Sequence, residues 1–160
     1  VIPPRVFQLR ERRSGRCLHA SGDSITLAAC QARTSSSEAS QLFHWANRIA
    51  NAHHCCSGLR HWESDGCFDY ADNKGNVHTY PCDVTGGNGN QQYHKDDQGR
   101  IVHGDGRCLA PISGGSGAGL RSCRELADGE GEWEEVGAFE PIEAKLYREN
   151  LVKEGLHDPS

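Results

Sequence analysis

Three stretches of this chain share one plan, and that repetition limits its fold more than any other feature. They read "GRCLHASGDSITLAAC", "GCFDYADNKGNVHTYPC" and "GRCLAPISGGSGAGLRSC". Their cysteines are Cys17 and Cys30, Cys67 and Cys82, and Cys108 and Cys123, at intervals of 13, 15 and 15 residues. An aromatic residue follows each stretch: Phe43 in "SQLFHW", Tyr93 in "NQQYHK" and Trp133 in "GEWEEV". These lie 50 and then 40 residues apart, and the first cysteines 50 and then 41. The first unit therefore holds about nine surplus residues, near Asn47–Asp65.

Each unit reads as four short strands. In the middle unit they fall near Gly66–Tyr70, Val77–Cys82, Gln91–His94 and Arg100–His103, separated by turn-forming runs such as "DNKGN", "TGGNGN" and "DDQGR". Short strands at this spacing make a sandwich or a barrel, and threefold repetition favours a closed, pseudo-symmetric barrel. One four-strand unit cannot bury its apolar face alone, whereas three around an axis can. A disulfide in each unit would staple one hairpin and contribute about 2–4 kcal/mol by restricting the unfolded chain.

Charge and composition exclude other classes. Net charge is −5 over 160 residues, which gives no footprint for nucleic acid. Arg5, Arg10, Arg12, Arg13 and Arg16 make the beginning basic, while Glu125–Glu143 is acidic; both read as solvated surface. No apolar run approaches the roughly 20 residues of a membrane span, so no membrane insertion is expected. With no methionine and no signal peptide, the chain is expected to be a processed product or a piece of a longer one. Eight cysteines argue for disulfides and a secreted or luminal setting.

The three units resemble the ricin B-type, or R-type, β-trefoil lectins, whose repeats each end in Gln-x-Trp. The equivalents are Gln41-Leu42-Phe43, Gln91-Gln92-Tyr93 and Gly131-Glu132-Trp133. Two have lost the tryptophan and one the glutamine. The resemblance covers Val6–Gly137. "YPC…GGN…NQ" is similar to the lectin domains of polypeptide N-acetylgalactosaminyltransferases, and "SQLFHW" to the cysteine-rich domain of mannose-receptor proteins. It implies an all-β fold: a β-trefoil over residues 1–138, with repeats at about 6–50, 51–98 and 99–138. The segment 139–160 differs in composition. Its Pro141 and the stripe Ile142, Leu146, Leu151 and Val152 predict a short C-terminal helix near Ile142–Glu154.

The resemblance also implies where sugar would bind. A working repeat has aspartate two after its first cysteine, an aromatic two before its second, a polar residue two before that, and a closing Asn-Gln. The middle repeat matches with Asp69, Tyr80, His78, Asn90 and Gln91. The chemistry stands without the family. A galactose-type sugar has an apolar C–H face on which Tyr80 can stack. Its vicinal hydroxyls can donate to a carboxylate, with charge-assisted strength. Asn90 can donate and accept, and Gln91 would orient Asp69 or close the turn. One shallow site of this kind would sit near 1 mM, about 4 kcal/mol. Galactose or N-acetylgalactosamine on glycoproteins or glycolipids is therefore the expected partner. The first repeat offers His19, Ala28 and Ser40 at the same places, and the third offers Ala110, Arg121 and Glu130-Gly131. Both are expected to be structural, with Arg121 either solvated or paired to an anionic group.

Plainer readings compete. Asp69 can serve only to turn the "DYADNKGN" loop, and Phe43, Tyr93 and Trp133 are core residues. Cys55 and Cys56 remain outside the three pairs. A strained vicinal disulfide, replacement of Cys67 as the partner of Cys82, and a link to a second chain all stay open, with a homo-oligomer or covalent partner following from the last. His53, His54 and His61 stand close by, but the spacing is not that of zinc ligands, so no metal or other cofactor is expected. Asp69 and His78 could be imagined as an acid–base pair, yet no nucleophile or paired carboxylate accompanies them, and no enzyme activity is expected. The alternative to a lectin is a degenerate trefoil acting as an interaction or targeting module of a larger protein.

Overall fold

A computed structural model gives the fold and describes residues 6–32, 38–45, 58–70, 76–83 and 89–139. The 12 strands fall into three sets of four. The first set is β1 (Val6–Glu11), β2 (Cys17–Ser21), β3 (Ser24–Ala28) and β4 (Phe43–Trp45). The second is β5 (Leu59–His61), β6 (Cys67–Asp69), β7 (His78–Tyr80) and β8 (Tyr93–Lys95). The third is β9 (Ile101–His103), β10 (Cys108–Ile112), β11 (Gly117–Arg121) and β12 (Trp133–Phe139). All of it is a β-trefoil.

Antiparallel pairs β1–β4, β4–β5, β8–β9 and β12–β1 run round a barrel. An Arg100–Glu132 bridge joins β9 to β12 within the third unit. The hairpins β2–β3, β6–β7 and β10–β11 cap one end and meet cyclically. Ser24 pairs with His78, Asn76 with Gly119, and Gly117 with Thr26. Equivalent residues thus occupy equivalent places about a threefold axis. The disulfides Cys17–Cys30, Cys67–Cys82 and Cys108–Cys123 follow the same symmetry. Cys67 is therefore the partner of Cys82. The alternatives for Cys55 and Cys56 concern residues outside those described, as does the expected helix near Ile142–Glu154.

The core is assembled in threes. Leu9, Leu59 and Ile101 come from the first strands of the units, and Leu18, Phe68 and Leu109 from the second; all are fully buried. Phe43, Tyr93 and Trp133 come from the fourth and are at most 2% exposed. The Phe68 ring meets Phe43 of the first unit edge-on at 5.4 Å and Tyr93 of its own unit at 6.2 Å, so one ring joins the closing aromatics of two units. Burying each such side chain stabilises by about 1.5–3 kcal/mol.

Two local expectations change. The strand expected as the middle unit's third is its fourth, and it begins at Tyr93, not Gln91, because Gly89–Gln91 is a 3-10 turn that points the Gln91 side chain inward; the strand expected at Arg100–His103 opens the third unit as β9 instead. The basic and acidic segments are not merely solvated. They face each other across β1 and β12, with Arg10 at 2.8 Å from Glu134 and Arg12 at 3.0 Å from Glu132. The Arg10 hydrogen bond holds the Glu134 carboxyl below the usual range. In solvent such pairs add little stability.

One buried histidine is expected to make the fold acid-sensitive. His44 on β4 is 1% exposed and packs edge-on against Trp62 at 5.6 Å. Burial, and then the nearby Arg60 charge, lower its pKa to about 3. The unfolded chain therefore binds the extra proton first, and stability falls as pH drops from about 6.5 toward 3. In thermal melts, His44→Phe is expected to lose less Tm than wild type between pH 6.5 and 4. Parallel losses would show that His44 is not a source of the acid sensitivity.

Candidate functional site

The β6–β7 hairpin sets the geometry. Its register pairs Cys67 with Tyr80, Phe68 with Thr79 and Asp69 with His78. Alternate residues of a strand face alternate sides. Phe68, Thr79 and Val77 therefore turn to the core, and Asp69, His78 and Tyr80 share the other face. Tyr80 is 58% exposed. The His78 ring stands edge-on to it, with centroids 6.4 Å apart. Asp69 is only 3% exposed, and its Oδ1 lies 3.9 Å from His78 Nε2.

Gln91 binds the floor of this face together. Its Nε2 donates to Asp69 Oδ2 at 2.9 Å and to the Pro81 carbonyl at 3.1 Å, while its Oε1 accepts the Asp83 amide at 2.9 Å. A fully buried amide must be satisfied in this way. One side chain thus fixes the carboxylate to the loop that follows Cys82. Asn90, exposed beside it, is anchored through its backbone: its carbonyl accepts the Tyr70 amide at 3.1 Å and lies 3.2 Å from His103 Nε2. His103 Nδ1 lies 3.3 Å from the Asp105 amide and 3.2 Å from Asp105 Oδ1, so the ring ties the Asn90 backbone to the turn at Asp105. Arg107 completes the support, lying 4.4 Å over the Tyr70 ring and paired to Asp105 at 2.8 Å. Burial works against ionised Asp105, but the Arg107 hydrogen bonds and His103 outweigh it and hold its pKa at about 2.

The structure therefore gathers Asp69, His78, Tyr80 and Gln91 on one hairpin and its following loop, with Asn90 next to them. Sequence reading did not single out His103, which belongs to the third repeat. Its signal was positional: Glu11, His61 and His103 end the first strands of the three repeats, and all are buried. Glu11 does in the first repeat what His103 does in the third, accepting the Gly131 amide at 2.9 Å. Each of these two residues grips the closing turn of the repeat before it.

The first repeat keeps the bracket and loses the face, and the third loses both. Gln41 Nε2 reaches the Ala29 carbonyl at 2.9 Å and His19 Nδ1 at 3.3 Å, and its Oε1 accepts the Gln31 amide at 2.8 Å. His19 thus stands where Asp69 does, and Ala28 where Tyr80 does. In the third repeat Ala110 is fully buried, and Arg121 is spent on Glu130 at 3.1 Å and on the Pro111 carbonyl at 3.2 Å. A Cβ on Gly131 would come 2.7 Å from Leu126 Cδ1, so leucine fills the space a glutamine would need. Among the described residues no cluster of side chains is arranged to hold a metal ion, and no helix is long and apolar enough to cross a membrane.

Residues 5–129 match the ricin-type beta-trefoil lectin domain family. No curated protein matches the chain by sequence. Among solved structures, the hemolytic lectin CEL-III superposes with a TM-score of 0.59 at 18% identity, covering 82% of this chain and 30% of that one. GalNAc-T7, solved with UDP, GalNAc and Mn2+, gives 0.60 at 17% identity, covering 85% and 23%. The C-half of an earthworm R-type lectin, solved in complex with GalNAc, gives 0.58 at 14% identity, covering 82% and 97%. The chain therefore spans under a third of CEL-III and under a quarter of GalNAc-T7, and nearly all of that earthworm half.

The Gln91 bracket has a measurable worth. Gln91→Ala leaves a buried carboxylate oxygen, a carbonyl and an amide short of partners, and is expected to cost about 2–4 kcal/mol in urea unfolding. Gln91→Glu puts a second carboxylate against Asp69, so its penalty is expected to shrink as pH falls through the carboxylate range. A pH-independent penalty would mean the two groups are not in contact.

Proposed function

Because the chain belongs to the ricin-type β-trefoil lectin family, we propose that it binds galactose or N-acetylgalactosamine type glycans through its middle repeat. The supporting observation is the shared face: an exposed tyrosine ring beside a carboxylate that is held by a buried amide. Tyr80 offers the flat surface for a sugar's C–H face. Asp69 Oδ2 is taken by Gln91, which leaves Oδ1, on the His78 side, to accept a hydroxyl. Asn90 adds a second polar contact from the next turn. The earthworm neighbour, solved with GalNAc, supports this sugar class by likeness of fold. Three disulfides fit a secreted or luminal setting. Nothing in the site calls for a cofactor, and the chain acts as a binding module, with any catalysis residing elsewhere.

The depth of Asp69 favours one rival. At 3% exposure it can serve wholly as a loop bracket, and the trefoil would then be an interaction module. A glycan array separates the two. Wild type is expected to bind galactose-type glycans, with Asp69→Ala and Tyr80→Ala each losing about tenfold or more. Tyr80→Ala should leave Tm unchanged, since that ring is largely in solvent. Absence of glycan binding by wild type would support the interaction module instead.

A further inference from the structure

Between the first and second strands of each unit the chain makes a similar turn, spanning four residues in the first two units and three in the third. Gly15, Asp65 and Gly106 donate their amides to the carbonyls of Glu11, His61 and His103 at 2.8, 3.0 and 2.8 Å. The next residues, Arg16, Gly66 and Arg107, return their carbonyls to the amides of the same three, each at 2.8 Å. The first residue of each pair is left-handed, with φ of 70°, 64° and 94°. Two repeats meet that demand with glycine. The middle repeat carries an aspartate there, a side chain in a conformation that disfavours one. Aspartate is one of the few side chains this conformation tolerates, so the middle repeat keeps a side chain where the other two have none.

The Asp65 side chain is held in place. Its Oδ2 pairs with Arg60 Nη2 at 2.7 Å, and Arg60 Nε donates to its carbonyl at 3.1 Å. The Arg60 side chain is 11% exposed, whereas that of Asp65 is 71% exposed. The carboxylate is thus anchored from within and open to solvent. The exchange of Gly-Arg for Asp-Gly also clears space. Arg16 crosses to the Gly115 carbonyl at 2.9 Å, and Arg107 lies over Tyr70. At Gly66 a Cβ would already approach Thr79 Cβ to 3.1 Å. A groove of about 450 Å³ opens here, lined by Arg60, Ser64, Asp65, Thr79, Tyr80 and Pro81.

Tyr80 is a wall of this groove as well as part of the face that holds Asp69. Along the hairpin the order is Asp69 with His78, then Cys67 with Tyr80, then Asp65. Successive rows on one face lie about 6.6 Å apart. A sugar stacked on Tyr80 with its hydroxyl edge at Asp69 therefore has its opposite side toward Asp65.

We propose that this groove is a second saccharide subsite, in which Asp65 accepts hydroxyls of the sugar residue adjoining the one on Tyr80. The inference rests on the middle-repeat reading above and extends it: the ligand is an oligosaccharide, and the middle repeat reads two of its residues.

Calorimetric titration with galactose, N-acetylgalactosamine and galactose-terminated disaccharides in 1→3, 1→4 and 1→6 linkage tests it. Wild type is expected to bind at least one disaccharide about fivefold or more tighter than either monosaccharide. Asp65→Asn, which tolerates the left-handed turn, and Asp65→Gly, the residue of the other repeats, should each abolish that gain and leave monosaccharide affinity unchanged. Asp69→Ala should lose both ligands. A disaccharide gain that survives both Asp65 variants, or no gain in wild type, overturns the subsite while the Tyr80 site stands. Failure of wild type to bind any of these sugars overturns both.

Discussion

None of the three four-stranded units has an interior of its own, and everything else follows from that. Phe68 of the second unit packs edge-on against Phe43 of the first. The third unit meets its neighbours through the cyclic strand bridges of the cap. Each disulfide closes a hairpin whose second strand must meet the next unit's hairpin in register. The units are thus obliged to stay alike in their buried layers. Their outward faces carry no such obligation.

That division explains how one repeat can differ in chemistry while its scaffold stays constant. Gln41 and Gln91 make nearly the same set of hydrogen bonds, to the carbonyl one before and the amide one after their repeat's second cysteine. What differs is the third partner, His19 in one case and Asp69 in the other. The bracket is common property, and the group it presents is free to vary. The neighbouring repeat contributes too, since His103 of the third unit fixes the Asn90 backbone of the second. A face confined to one repeat still depends on its junction with the next.

Much of this could be read from the residues. Cysteine intervals and a recurring aromatic gave the repeats, and the resemblance to R-type lectin repeats pointed to Asp69, His78 and Tyr80 together. Other features were hidden for physical reasons. Gln91 follows a strand-like pattern in sequence, but burial of its amide turns the backbone into a 3-10 turn. The pairing of Arg10 with Glu134 joins residues 124 positions apart, a separation that local pattern does not carry. Asp65 stands out only when "SDGC" is laid over "SGRC" and "DGRC" with the turn geometry in view.

The seam between β1 and β12 has a topological consequence. Val6 is the register partner of Phe139, so the polypeptide leaves the barrel beside the point where it entered. The strands at the two ends of the barrel's chain path are thus neighbours in one sheet, with a single nick between them. A short splice across that nick, with a fresh cut at any other exposed bend, would keep every strand in place. Such a body can also be set into a loop of a host protein without prising its two ends apart.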